Sequence, residues 1–502
     1  MFKLLPATPS LEQLKNQAKE LLKAHQNQDL QAARRIQEHL PRLAQTALPD
    51  ILSSKLALTD AQLVIAREYG FTSWPRLKRH IESLTPLSDD IIEQFKNAIH
   101  AGDVSKVKSL FKRYPLLTSK INDPLFAFGS RSLNAARHNR AMVDLLLKHG
   151  ADINARSDWW AGSFGILDGA DVETAAYLIK RGAVIDIHAA AALGMVERVQ
   201  ELVQENPELV NAKGGDGQRP LHVATRPEII DFLLANGADI NARDIDHNAT
   251  PAQYAINDPV KCRYLVERGA EIDIFIACVL GDVAIAQAAL ESDPNCLNAR
   301  IGEGQFTAPG EHIYTYNIGY TARPLDLAAQ HGHTELIEFL LQRSSPRQKF
   351  LFACMQADES TVQSLLSQQP DLMRSLRPDE MSLICDAAWR NNTAAVRVML
   401  KAGFDINAQG VNNSTPLDRA ALWGYLDTVN LLLEHNASLT VVNDFGGTPL
   451  GACIYGSLHF INEQSNHAAC VESMLRAGAP VPEAAGGSAA VMEVLRRYGA
   501  KG

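Results

Sequence analysis

What this sequence lacks narrows it first. None of its apolar runs approaches the roughly 20 residues that cross a bilayer as a helix, so no membrane span is expected. It lacks a basic excess: 57 acidic residues against 48 basic ones leave a net charge of -9. Nucleic acid is therefore not expected as a ligand, since phosphate contacts need a basic face. Cysteine is scarce and odd in number, seven without tight spacing, which points to reduced thiols and a cytoplasmic protein. Cys262, Cys278, Cys354, Cys385 and Cys470 fall inside helical patterns and read as small buried apolar side chains. The start, Met1 to Pro6, is too soon broken by proline for a signal peptide, so no leader is expected.

Catalytic spacing is missing as well. The sequence holds no P-loop, no HExxH, no CxxC and no GxSxG. Gly302-Glu303-Gly304 lacks the third glycine of a dinucleotide loop, and Ser105 with Lys108 is a chance pair on a helix. His331 and His333 suit a turn between helices better than a metal. No catalytic residue, no metal and no cofactor is expected, and the chain is not read as an enzyme.

What is there is a repeated pattern. At 502 residues the chain exceeds one compact core, so several domains or a repeat array are expected. Its clearest unit runs Arg219-Pro220-Leu221-His222-Val223-Ala224, then an apolar segment ending Phe232-Leu233-Leu234, then Gly237-Ala238-Asp239-Ile240-Asn241-Ala242. Proline at a first helical position costs no hydrogen bond. Glycine past a helix end closes the last turn at positive φ. Asp and Asn then favour a turn. Gly150 and Gly182 lie 32 residues apart, as do Gly237 and Gly269; Asn436 stands 33 after Gly403. Helix-start prolines recur at Pro220, Pro251, Pro324, Pro416 and Pro449.

This unit resembles the ankyrin repeat: helix, turn, helix, hairpin finger. The resemblance implies an all-α ankyrin-repeat solenoid of about 12 helix-turn-helix units over residues 86–502. Residues 1–85 do not follow the repeat. Ser10 with Gln13 and Thr59 with Gln62 read as capping boxes, a second helix starts at Asp29, and Ser73 caps a helix from Trp74. The run from Leu58 to Ile81 is similar to a helical module found ahead of ankyrin repeats in bacterial proteins. Trp74 is expected to pack that module onto the first repeat.

A longer period overlies the short one. Four units end their second helix at Pro115, Pro207, Pro294 and Pro370, with gaps of 92, 87 and 76. The units at Ile187, Ile274 and Gln348 start without turn residues. A block of three repeats is expected, with fingers absent at about 185–188, 271–275 and 344–348 and present in pairs between. Inserts enlarge residues 301–322 and 456–468, and inserts in such arrays often lie on the binding face.

Candidate binding residues follow from the aromatics, which make up only 6% of the chain, so a cluster stands out. Asp158, Trp159 and Trp160 occupy a normally polar finger, with one Trp expected to pack inward and the other to face out. Tyr314 and Tyr316, two apart, would share one face of a strand. Asp244, Asp246 and His247 would supply a polar floor between. The resemblance implies protein–protein recognition through fingers and inner helices; a monomer is expected. A small-molecule sensor or enzyme using an aromatic groove near Trp159 and Tyr314 stays open as the alternative. So does the plain reading that both clusters only pack their own fingers.

Overall fold

The computed structural model describes residues 3–6, 9–84 and 87–501, with 82–84 as backbone only. Met1, Phe2 and the expected boundary at 85–86 lie outside the described residues. Among these residues there is no sheet strand, and a single bridge joins Ala484 to Lys501. The chain divides into two compact units, Met1–Asp246 and His247–Gly502.

The first unit opens with helices Leu11–Gln26, Leu30–His39, Leu48–Ser53, Leu58–Glu68 and Trp74–Leu84. Their apolar faces close over Leu14, Leu21, Ile36, Ile65 and Leu77, a core separate from that of the repeats. Ser10 Oγ accepts from the Gln13 amide at 3.3 Å and Asp29 from the Gln31 amide at 2.7 Å, as the sequence predicts. Thr59 does not form its expected cap. The Asp60 carboxylate instead accepts from the Ala57 amide at 3.0 Å, and the helix begins at Leu58. Trp74 packs against this N-terminal core. Glu68, buried in the same module, accepts from Arg35 at 2.6 and 3.0 Å and from Lys3 at 2.7 Å.

From Asp89 onward helices pair along the chain, and local chemistry fixes their ends. Pro220, Pro251, Pro324, Pro416 and Pro449 each open a helix. Gly150, Gly182, Gly237, Gly269, Gly403 and Gly478 all adopt φ between 88° and 100°, and Asn436 takes 63°. Stacking then uses one brace repeatedly. Asn122, Asn154 and Asn211 each donate to the carbonyl of a closing glycine, Gly150, Gly182 and Gly237, at 3.1, 3.0 and 2.8 Å. Their side-chain oxygens accept from Asp152, Val184 and Asp239 amides just beyond. His333 Nε2 lies 3.1 Å from the Val279 carbonyl, so this histidine holds a turn.

The longer period is visible in the connections. The units ending in Pro115 and Pro207 turn at once into 3-10 helices Pro115–Lys120 and Pro207–Asn211. Three later passages are short: 180–186, 267–273 and 344–345 join one helix to the next without a finger. The pairing of fingers between them needs correction. Between the second and third passages stands one finger, the long insert, which accounts for the shorter last spacing.

In the second unit the insert is helical where a strand was expected: Ile313–Asn317 forms a turn and a half of helix. Residues 456–459 extend helix Pro449–His459, and 460–466 turn the chain back to the helix His467–Arg476. Gly456 makes that possible. A Cβ there would stand 1.9 Å from the Leu422 carbonyl, so helices Pro416–Trp423 and Pro449–His459 touch backbone to backbone.

Candidate functional site

One repeat in the first unit is incomplete, and the cleft lies there. Between Lys148 and Val172 no helix forms, although a first helix belongs at that place. Gly162, Gly165 and Gly169 interrupt the stretch that would supply it. A loop, 164–170, takes the helix's position and leaves a cleft of about 610 Å³. Phe126, Phe128 and Phe164 wall it, with His100, His138, His188, Arg137 and Asp168 among its polar lining.

The polar groups are committed to holding these walls. Arg137 donates to the Asp168 carbonyl at 2.6 Å. The Asp168 carboxylate accepts from the Gly165 amide at 2.6 Å, and burial pushes its pKa above the ordinary carboxylate value. His188 Nε2 lies 3.1 Å from the carbonyls of both Ala212 and Gln218. Arg156 bridges Ser163 and Asp186, at 3.0 and 2.7 Å. What remains open is mainly apolar wall together with the exposed His138, suited to an apolar or aromatic side chain.

The finger tips are zipped by their backbones. Phe128, Asp216 and Asn412 each sit mid-tip in the left-handed region, at φ 59°, 56° and 57°. Each tip offers a carbonyl to the next finger: Gly129 to the Asp158 amide at 3.1 Å, Asp216 to Ile245 at 2.8 Å, Asn412 to Asp444 at 3.0 Å. Asp and Asn tolerate that conformation, whereas a bulky side chain there is an outlier. Phe128 is that outlier, and its ring is 56% exposed. Gly162 lets the second finger press on the third, because a Cβ would come within 2.1 Å of the Gly214 carbonyl.

The expected site residues separate in this frame. Asp158 is exposed and takes both guanidinium nitrogens of Arg131, at 2.8 and 3.0 Å, which holds its pKa below the ordinary value. Trp159 is half-buried, its ring edge-on to Phe128 at 5.0 Å, while Trp160 is 57% exposed. Asp244 and Asp246 are buried, so they do not form an open polar floor. His247 belongs to the second unit, its Nδ1 2.8 Å from the Glu311 carbonyl, and it braces the insert. Tyr314 and Tyr316 do not share a face. Two residues apart on a helix they point nearly opposite ways. Tyr314 is fully buried and Tyr316 is 63% exposed. Tyr314 therefore lines no groove. Phe126, Phe128 and Phe164 were missed; the glycines breaking an expected helix beside them were the available signal.

The family described as "Ankyrin repeats (3 copies)" matches residues 187–276 and 350–443, and "Ankyrin repeat" matches 133–158 and 323–349. The human protein "Transient receptor potential cation channel subfamily A member 1" is 25% identical over 311 residues, 52% of this chain and 28% of that one. "E3 ubiquitin-protein ligase KEG" of Arabidopsis thaliana is 23% identical over 285 residues, 52% of this chain and 17% of its own length. "Ankyrin repeat and SOCS box protein 16" of Mus musculus is 26% identical over 201 residues, 38% of this chain and 44% of that one. The chain thus spans less than half the length of each of these relatives. Helix-start prolines, closing glycines at positive φ, the asparagine braces and these matches agree: the chain is an ankyrin repeat protein.

Proposed function

We propose that this protein is a scaffold that binds a partner protein, and that the first unit's cleft receives an apolar or aromatic side chain of that partner. One observation carries the reading: Phe128, exposed by 56%, stands at a finger tip whose backbone favours Asp, Asn or Gly. A ring held there at a conformational cost, over an aromatic-walled cleft, fits an anchor of recognition. Trp160, also exposed, extends the same finger row. Asp158 and Trp159 take a supporting part, fixing the tip through Arg131 and Phe128. Tyr316 on the second unit's insert, and His247 that braces it, remain candidates.

The ligase named among the relatives matches over 17% of its length, which gives no ground for assigning its activity here. The separate core over Leu14 to Ile81 supports an N-terminal module preceding the repeats, with the boundary near residue 85. Seven unpaired, buried cysteines suit a reducing compartment and favour a cytoplasmic protein. We take the chain as a monomer.

The test is affinity capture with the full chain, comparing wild type with Phe128→Ser and Trp160→Ala at matched melting temperature. A partner retained by wild type and lost from either variant supports the reading. Partners held equally by all three would move the site away from this cleft.

A further inference from the structure

The second unit holds a groove of its own, lined by none of the expected site residues. Its volume is about 580 Å³. Trp389, Tyr455, Phe460 and the finger residue Phe445 line it, above Asp418 and Arg419. The aromatic walls form one packed cluster: Trp423 lies edge-on to Trp389 at 5.3 Å and to Phe460 at 5.1 Å. The lengthened helix Pro449–His459 carries Tyr455 to this position, and the turn after it is tied back by Ser465 Oγ donating to the Trp423 carbonyl at 2.7 Å. The groove is thus built by the insert and held rigidly.

Around it the surface is apolar and acidic. Phe445 is 80% exposed, and Val442, Tyr455, Leu458 and Ile461 are exposed beside it in sequence. From residue 420 to residue 475 there is no lysine or arginine, while Asp427, Glu434, Asp444 and Glu463 fall in that span, with Glu472 paired to Arg476 and Arg497 beyond it. Asp444 and Glu463 are exposed and flank the lining residues. In the floor, Asp418 Oδ2 accepts from Thr415, but its Oδ1 is buried without a partner. The adjacent Arg419 guanidinium rests 4.9 Å from the centre of the Trp389 ring, a cation–π contact made inside the groove.

We propose that this groove is a second recognition site, and that it takes a basic amphipathic segment of a partner protein: apolar or aromatic side chains against Phe445, Tyr455 and Phe460, with Lys or Arg against the acidic rim. The proposal rests on the reading of the chain as a protein-binding scaffold. Charge decides the occupant. A second copy of this face would set acid against acid. A neutral apolar segment would leave the rim unanswered, whereas a cation on an aromatic face beside a carboxylate gains from both.

The test selects peptides from a random display library on the immobilised full chain. Enriched sequences should combine aromatic or aliphatic residues with Lys or Arg. Their binding should weaken with added salt, and should fall about tenfold or more in Phe445→Ser and in the double variant Asp444→Asn with Glu463→Gln. All these positions are exposed, so the melting temperature should not change. Acidic or uncharged winners overturn the proposal, as does salt-insensitive binding. Winners that depend on Phe128 or Trp160 but not on Phe445 overturn it while leaving the first cleft standing. A library yielding no binder at all counts against the scaffold reading itself. Concentration-dependent dimerisation abolished by Phe445→Ser would instead assign the face to self-association.

Discussion

Tyr314 donates its hydroxyl proton to Asp273 Oδ2 at 2.8 Å, across 41 residues of chain. Asp273 also caps helix Ile274–Leu280 through the Phe275 and Ile276 amides, at 2.9 and 3.0 Å, and accepts from Gln253 at 2.9 Å. The long insert is thereby fastened to a helix that starts without turn residues. Tyr314→Phe removes one donor from a buried carboxylate, a loss of about 1–3 kcal/mol. The melting temperature should drop by several degrees while partner binding by the folded protein stays unchanged. An unaltered melt would show that the hydroxyl holds nothing.

Phe128→Gly separates cost from use. Glycine relieves the left-handed backbone, worth about 1–2 kcal/mol. It also removes the ring contacts with Trp159 and Phe164, worth about 0.5–1.5 kcal/mol each. Stability should therefore change little, and affinity for the captured partner should fall about tenfold or more. Equal affinity with altered stability would make Phe128 a packing residue.

Two buried carboxylates should respond to pH with opposite signs. For Glu68 burial alone would raise the pKa, but hydrogen bonds from Arg35 and Lys3 outweigh it, and the value lies below the ordinary 4.5. Its contribution is present above 4.5 and is lost as pH falls through the folded pKa. For Asp273 burial wins over the hydrogen bonds from Gln253, Ile276, Tyr314 and Phe275, and the pKa is raised above 3.8. Its contribution is greatest below 3.8 and declines as pH rises through the folded pKa. The stability gap between wild type and Glu68→Gln should shrink on acidification. The gap between wild type and Asp273→Asn should shrink on alkalinisation. Denaturant melts across pH check both, and parallel slopes would refute the assignment.

All seven cysteines are buried. Burial pushes the thiols of Cys262 and Cys354 up to about 12 and that of Cys296 to about 11. At neutral pH a thiol reagent should label none of the seven in the native protein and all of them after denaturation. Rapid labelling of any cysteine in the native state, read by peptide mass, would locate an opening of the fold at that residue.

The parts of this fold that were legible in the sequence are those set by one residue's backbone. Gly237 reports a positive φ and Pro220 a helix start whatever surrounds them. The fingerless junctions were legible for the same reason: Ile187 and Ile274 follow Asp directly, and the aspartate is itself the helix cap, while Ser345 caps the third helix just before Pro346. Side-chain direction was not legible. Tyr314 and Tyr316 change from neighbours to opposites when a strand becomes a helix, and neither period shows in so short a segment. Asp244 reads as a surface finger residue, yet its side chain is buried. The first cleft escaped notice because it comes from a helix that does not form. The groove under Phe445 escaped because its walls come from separate repeats.

The fingerless junctions also bear on how this chain would carry load. Wherever tips are zipped, a pull along the array is shared between packed helices and a row of backbone bonds such as that from Gly129 to Asp158. At 180–186, 267–273 and 344–345 that second line is missing, and helix packing is helped only by side-chain bonds such as those of Arg156 to Asp186 and Tyr314 to Asp273. Stretched end to end, the array would part first at these seams, and its extension would come in multi-repeat lengths instead of single-repeat steps.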